Sequence, residues 1–197
     1  RLGYRRKAES TKKKSKHNGH YDTPKELGKK WQMDVKYVPS ACYAGEDGEK
    51  FYQYTMLEEA SRKRFIYAYR ETGGYSTCDF VKRAIIWFGY APDTIQTDNG
   101  GEFTHTKKTK RIHPFDSLCA ELHITHKLIR PRTPWHNGKV ERSPRNDQEP
   151  FYNHLSFYSY EDLQIQMKRY LYRSNNIPMA VLGWKSPNQK QREMETA

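Results

Sequence analysis

The stretch TIQTDNGGEF, residues 94–103, decides how the sheet of this protein is built. Residues 93–98 predict a short strand, and Asn99-Gly100-Gly101 predicts a turn at its carboxyl end. Asp98 stands at the junction of the two. Ligands gather at the carboxyl ends of strands in open α/β sheets, so Asp98 is a candidate site residue. Asp-Asn-Gly is also common turn chemistry, and a purely structural role stays open at this point.

The segments around this stretch predict one α/β domain. Three short aromatic strands joined by turns, an antiparallel meander, are predicted at 31–38, 51–57 and 64–70. A fifth strand is predicted at 124–129. Apolar residues spaced three and four apart predict helices at 76–89 and 159–174, and further helices are predicted near 114–123 and from about Gly138. This order is also an ordinary α/β order, so it limits the fold without fixing it.

Two further acids stand in distinctive surroundings. Asp34 lies mid-strand in WQMDVKYV, residues 31–38, where an unpaired buried carboxylate is costly unless it binds a metal. It could also face solvent on an alternating strand. Glu141 lies in RPRTPWHNGKVER, residues 130–142, where Asn137 can cap a helix that starts at Gly138. A Glu in the first turns of a helix is also favoured by the helix dipole alone.

Together these segments resemble the catalytic core of insertion-sequence transposases related to retroviral integrases, the DDE recombinases of the RNase H-like superfamily. The strongest likeness lies in TDNGGEF and PRTPWHNGKVER, and the resemblance covers roughly residues 29–190. It implies an RNase H-like α/β fold: a five-stranded mixed sheet, made of the antiparallel meander plus parallel strands, flanked by helices. It also implies that Asp34, Asp98 and Glu141 are the catalytic metal ligands.

The chemistry of such a triad is metal-dependent phosphodiester transfer. Two divalent ions can activate water or a 3′-OH, polarise the phosphate and balance the charge of the leaving group. Mg²⁺ prefers oxygen ligands and usually takes one or two carboxylates with several waters. The resemblance therefore implies two Mg²⁺ or Mn²⁺ ions, DNA strand cleavage and strand transfer, and DNA partners in the form of element ends and target DNA. It further implies a homo-oligomer on DNA in the prokaryotic cytoplasm, associated with the nucleoid.

Charge is concentrated at the start of the chain. The net charge is +12, from 35 Lys and Arg against 23 Asp and Glu. Residues 1–28 are polar and aperiodic, which predicts a basic flexible arm, followed by a catalytic core at 29–190 and a tail at 191–197. A basic arm on a nearly balanced domain favours a nucleic-acid partner, although such runs are often only solubilising tails.

A second set of basic and aromatic residues lies in and around the third motif. These candidate DNA-binding residues are Lys127, Arg130, Arg132, Trp135, His136, Asn137, Lys139, Arg142 and Arg145. For Trp135 and His136 ordinary packing is an alternative, and Arg145 could instead pair with Glu141 one helical turn away. Relatives usually have His where this chain has Pro144, and Pro150 also interrupts the expected helix.

Two alternative functions remain open. One is an RNase H-like nuclease without strand transfer, and the other is a non-catalytic DNA-binding protein derived from a transposase. No apolar run reaches the length of a membrane span, so no membrane partner is expected. The three cysteines are widely separated and odd in number, which predicts simple thiols in a reducing compartment.

Overall fold

The computed structural model describes residues 23–45, 48–107, 109–129 and 151–196. Its sheet has five strands in the order β3-β2-β1-β4-β5. In chain order they are β1 (Trp31–Tyr37), β2 (Tyr52–Glu58), β3 (Arg64–Tyr69), β4 (Thr94–Thr97) and β5 (Thr125–Leu128). The first three form an antiparallel meander, and β4 and β5 continue the sheet in parallel with β1. The predicted five-stranded mixed sheet is confirmed.

Helices cover both faces of this sheet. Among the described residues they are α1 (Gly74–Phe88), α2 (Pro114–Glu121), α3 (Tyr160–Ser174) and α4 (Pro187–Glu195). Helices α1 and α2 contact one face, and α3 packs on the other face along the edge strand β3. Two parallel strands of one sheet need a connection that crosses over a face of the sheet. The connections to β4 and β5 contain α1 and α2, respectively, and these two helices lie on the same face.

Helix α1 buries its apolar stripe against the aromatic side of the meander. Phe80 is fully buried, and its ring lies 5.3 Å from Tyr54 on β2 and 5.4 Å from Phe65 on β3. Phe88, two turns later, lies 4.4 Å from Trp31 on β1. Each such side chain contributes about 1.5–3 kcal/mol through burial, so this contact fixes α1 on the sheet.

The opposite face is held by α3 and by the segment that precedes it. Tyr160 and Gln164 of α3 both donate hydrogen bonds to the Ala68 carbonyl, at 2.8 and 2.7 Å. At the end of α3, Asn175 accepts from the backbone N–H of Arg64 and donates to its carbonyl. These bonds satisfy backbone groups of the edge strand, which otherwise would be open to pairing with another chain.

The predicted elements agree with the structure except at their boundaries and at the C-terminus. Helix α4 was not expected, although Ser186 and Gln189 form a capping box and Pro187 occupies the first helical turn. This helix runs across the predicted boundary between core and tail. The helix predicted from Gly138 lies outside the described residues. Cys42, Cys78 and Cys119 are free thiols, as expected, and burial raises the pKa of Cys119 to about 12.

Candidate active site

The register of two neighbouring strands brings Asp34 and Asp98 together. Trp31 of β1 pairs with Ile95 of β4, and Gln32 pairs with Gln96, in parallel. Continuing this register by two residues sets Asp98, just past the end of β4, level with Asp34. Side chains alternate along strands, so both acids belong to the face of Gln32 and Gln96. Both residues are partly exposed.

A tight turn holds the backbone that carries Asp98. The Asp98 Oδ1 atom accepts a hydrogen bond of 2.9 Å from the Gly100 N–H, an Asx turn. Asn99 donates through Nδ2 to the Ile129 carbonyl at 3.1 Å. The Phe103 and Thr104 N–H groups both donate to the Gly100 carbonyl at 3.0 Å. The DNGGEF segment therefore forms a closed loop that returns Phe103 to the core.

Glu102 lies close to this turn. A Cβ at Gly100 would come within 2.7 Å of the Glu102 carboxylate, so this carboxylate lies directly over the turn. Thr77 of α1 donates to the Glu102 carbonyl at 3.0 Å. Burial raises the pKa of Glu102, and the nearby charge of Asp98 raises it further. Glu102 is thus a half-buried acid beside the Asp98 turn.

Buried polar side chains line the sheet face that carries the two acids. Gln32, Gln53, Thr55 and Gln96 are each at most 2% exposed. Thr55 pairs with Asp34 across the β1–β2 ladder and accepts from Gln53 Nε2 at 2.9 Å. Such groups are costly to bury without partners, and here they bond to one another and to neighbouring elements.

The segment after α2 and β5 contributes to the same face. The Tyr152 hydroxyl donates to Gln53 Oε1, and the Lys36 ammonium lies 3.8 Å from the centre of the Tyr152 ring. Lys36 follows Asp34 by two residues, so it projects on the same side of β1. A cation beside the acids on this face suits a phosphate-bearing ligand.

Lys127 is the one candidate DNA-binding residue within the described ranges. It pairs in register with Gln96 on β4, on the face of Asp34 and Asp98, and it is exposed. The charge of Lys127 contributes to lowering the pKa of Lys30, a smaller effect than burial, so the two ammonium groups are neighbours.

The other predicted site residues lie outside the described residues. They are Glu141 and the DNA-binding candidates Arg130, Arg132, Trp135, His136, Asn137, Lys139, Arg142 and Arg145, together with Pro144 and Pro150. Within the part of the chain that the structure describes, no group of three or more His, Cys, Asp or Glu side chains forms a metal cluster. The donor set present there, two aligned carboxylates, fits the one or two protein carboxylates that Mg²⁺ usually takes.

Sequence reasoning missed a set of residues behind Asp98. The Thr97 hydroxyl lies 2.9 Å from His126 Nε2, and His126 Nδ1 lies 2.6 Å from Asp116 Oδ1. His113, the N-cap of α2, accepts from the Phe115 N–H through Nδ1, and burial lowers its pKa. The only signal in the sequence was the presence of Thr, His and Asp near the predicted strand ends, which is too common to single them out.

An apolar groove lies at the sheet edge formed by β3, between α1 and α3. Its volume is about 470 Å³, and its walls include Phe65, Tyr67, Trp87 and Leu171. Ile86 at its rim is 81% exposed and Ile165 is 51% exposed. The two isoleucines extend the apolar surface of the groove to its rim. In the described ranges, no helix has the length and apolar character needed to cross a bilayer.

Comparison with known proteins agrees with this architecture. Two family profiles, both described as integrase core domain, match residues 24–134 and 122–187. ORF3 of Spiroplasma virus SpV1-C74, whose name describes it as a predicted integrase, is 29% identical over 169 residues. That alignment covers 81% of this chain and 46% of the viral protein, so the chain spans less than half the length of this relative.

Solved structures share the fold. A chain of the simian T-cell lymphotropic virus intasome in complex with the PP2A regulatory subunit B56 gamma is 19% identical, with a TM-score of 0.67 over 87% of this chain and 56% of that chain. The HTLV-2 integrase catalytic core in complex with magnesium gives a TM-score of 0.60 in its trimeric form and 0.58 in its dimeric form. Those forms are 18% and 20% identical, with coverage of 83% of this chain and 96% of each core.

The five-stranded sheet with flanking helices is thus the RNase H-like fold of integrase catalytic cores. The first family profile alone matches more than half of the residues. This chain belongs to the integrase core domain family.

Proposed function

We propose that this chain is a DDE-type polynucleotidyl transferase that cleaves DNA strands and joins a 3′-OH end to target DNA. The alignment of Asp34 with Asp98 on neighbouring parallel strands carries this proposal. Family membership and the likeness to magnesium-bound integrase cores support it. Glu141, in the motif PRTPWHNGKVER, is proposed as the third acid.

In this proposal, Asp34, Asp98 and Glu141 hold two Mg²⁺ or Mn²⁺ ions. When bound, the ions supply activation of the attacking oxygen and charge balance for the leaving oxygen. Asp34 and Asp98 fix the position of the ions because both are anchored to the sheet, one within β1 and the other in the Asx turn after β4. Lys36 neutralises part of the phosphate charge that approaches the same face.

DNA is proposed to cross this face and extend along the basic residues. Lys127 lies on the face of the two acids, and the remaining DNA-binding candidates follow it in the sequence from Arg130 to Arg145. The eight Lys and Arg residues in positions 1–20 add sequence-independent affinity for duplex DNA. Transposition is proposed to take place in the prokaryotic cytoplasm, on element ends and target DNA.

Activity on two DNA ends needs more than one protomer, and we propose that the chain forms a homo-oligomer on DNA. The groove between α1 and α3 is the candidate contact surface, because Ile86 and Ile165 expose apolar area there. Burial of this area in a second copy would be favourable by roughly 25 cal/mol for each Å² removed from water.

The test is a strand-transfer assay with purified protein, labelled DNA from the element ends, a supercoiled target plasmid and Mg²⁺ or Mn²⁺. One set of end DNA carries a 3′-OH and the other a 3′-dideoxy terminus. The proposal predicts joined products only from 3′-OH ends, since the hydroxyl oxygen is the nucleophile. EDTA should abolish them.

The same assay separates the alternatives. Metal-dependent nicks of equal yield from both kinds of end, with no joined product, would identify a nuclease without strand transfer. Retention of the DNA in a gel-shift experiment without nicks or joining, with either metal, would identify a non-catalytic DNA-binding protein. A Pro144→His variant checks whether the proline limits activity, because a proline within a helix removes one hydrogen bond and costs about 3 kcal/mol.

A further inference from the structure

Three side chains from three elements form one hydrogen-bonded chain behind Asp98. Thr97 is the last residue of β4 and is fully buried. His126 lies on β5, where it pairs with Ile95 of β4, and its side chain is 7% exposed. Asp116 lies in the first turn of α2. They occupy the face covered by α1 and α2, opposite to the face of the two acids, because side chains alternate along β4.

Each link of this chain is within hydrogen-bond distance. The Asp116 carboxylate only accepts, so His126 Nδ1 donates to its Oδ1 at 2.6 Å. His126 Nε2 lies 2.9 Å from the Thr97 hydroxyl oxygen, which in turn lies 2.8 Å from the Asp98 carbonyl oxygen. The bonds connect the backbone of the Asp98 turn to helix α2 through the fully buried Thr97 and the nearly buried His126, where a hydrogen bond is stronger than in water.

The position of His126 is itself fixed from several sides. The Phe115 ring packs edge-on against it, with 4.5 Å between ring centres. Phe115 is fully buried, and its N–H donates to His113, the N-cap of α2. Because Nδ1 of His113 accepts that bond, its Nε2 carries the hydrogen and donates to the Gly101 carbonyl at 3.3 Å. Helix α2 therefore holds the Asp98 turn at two points.

We propose that Thr97, His126 and Asp116 are positioning residues that hold the Asp98 carboxylate in its place for metal binding. The inference rests on the proposed function, because that function makes Asp98 a metal ligand. The effect of the three residues on the rigidity of the Asp98 turn does not depend on the proposed function. Among the described residues, the Gly100 N–H is the group that orients the carboxylate within the turn, so the position of the carboxylate depends on the backbone that carries both residues. Groups that orient metal ligands in this way contribute strongly to metal affinity.

The test compares Thr97→Val, which keeps the shape but loses the hydroxyl, with Thr97→Ser, which keeps the hydroxyl. Thr94→Val on the same strand is the matched control. Amide hydrogen exchange is measured by NMR on the full chain without metal or DNA. In Thr97→Val, exchange at Gly100 is expected to be on the order of tenfold faster than in the wild type. Exchange at Val81 in α1, which reports the fold, should be unchanged, and Thr97→Ser should stay near the wild type.

A second pair of variants tests the far end of the chain without touching the buried threonine. Asp116→Ala removes the acceptor for His126, while Asp116→Asn keeps an acceptor oxygen. Asp116 is 42% exposed, so neither change removes a core side chain. Faster exchange at Gly100 is expected in Asp116→Ala alone. Equal exchange in Thr97→Val and Thr94→Val, or in Asp116→Ala and Asp116→Asn, would overturn the proposal.

Metal affinity gives the decisive functional readout. Isothermal titration calorimetry with Mn²⁺ should show that Thr97→Val binds the ion about tenfold more weakly than Thr97→Ser does. Faster exchange with unchanged Mn²⁺ affinity would overturn the role in positioning the carboxylate. A wild-type chain that binds no Mn²⁺ would contradict the proposed metal site instead, and the exchange rates, which need no metal, would still decide whether these residues order the turn.

Discussion

Asp98→Asn is the substitution that separates catalysis from folding most cleanly. The variant keeps an Oδ1 atom that can accept the 2.9 Å hydrogen bond from the Gly100 N–H, so the Asx turn remains. The partly exposed side chain fills no core space, and the free energy of unfolding should change by less than about 1 kcal/mol. What the variant loses is the negative charge next to Asp34.

The expected loss of activity follows from that charge. Divalent ions contribute several kcal/mol of charge stabilisation in phosphoryl transfer, and each 1.4 kcal/mol or so corresponds to a tenfold change in rate. Strand cleavage and joining should therefore fall by about 10²–10⁴-fold. DNA binding should persist or tighten, because one repulsive charge is removed from a phosphate site.

The assay measures single-turnover cleavage and joining alongside thermal unfolding and DNA affinity. Asp93→Asn is the control, since Asp93 is also an aspartate beside β4 but is 65% exposed and pairs with Lys29 at 3.1 Å. It should retain full activity. Equal amounts of joined product from the wild type and from Asp98→Asn would refute the metal-triad mechanism, whereas an unfolded Asp98→Asn would refute the role assigned to the Asx turn.

Three further predictions address charge, packing and pH. Removal of residues 1–20 deletes eight basic residues and one acid, so the affinity for duplex DNA should weaken. The slope of log affinity against log salt concentration should also become less steep. An unchanged slope would mean that the arm is only a solubilising tail. In urea denaturation, Phe80→Ala should lower the free energy of unfolding by about 3–5 kcal/mol, because the Phe80 ring contacts both β2 and β3. Ile86→Ala, on the exposed face of α1, should change the free energy of unfolding by less than about 0.5 kcal/mol. Burial and the charge of Asp98 hold the pKa of Glu102 above its ordinary value of 4.5, so the unfolded chain releases this proton first as pH rises. In EDTA, the stability of the wild type should therefore fall relative to Glu102→Gln from about pH 4.5 upward, and parallel curves for the two proteins would contradict the raised pKa.

Local sequence patterns were sufficient for most of the individual elements. Aromatic-rich runs bounded by turns predict the three strands of the meander, and apolar residues three and four apart predict α1 and α3, since the helical period is a property of the backbone geometry itself. Element ends were less accurate, since they depend on which hydrogen bonds the tertiary structure supplies. Helix α4 was missed despite its capping box because its polar residues give no apolar period.

The sequence also determined which residues are the candidates for chemistry. The motifs around Asp34, Asp98 and Glu141 carried the resemblance to DDE recombinases, and the integrase core family and RNase H-like fold are confirmed. A sequence motif contains only residues that are neighbours in the chain. The motifs therefore indicate which acids are candidates, but they do not give the distance between acids that lie on strands far apart in the sequence. The roles of the three acids stay predictions.

Only the tertiary structure decided what surrounds them. Parallel pairing of β1 with β4 sets Asp34 level with Asp98, and no local pattern encodes the register of two distant strands. The chain from Thr97 through His126 to Asp116 joins residues of β4, β5 and α2, each common in its own context. A hydrogen-bond network depends on positions within fractions of an ångström, and those positions exist only once the sheet and α2 have packed together.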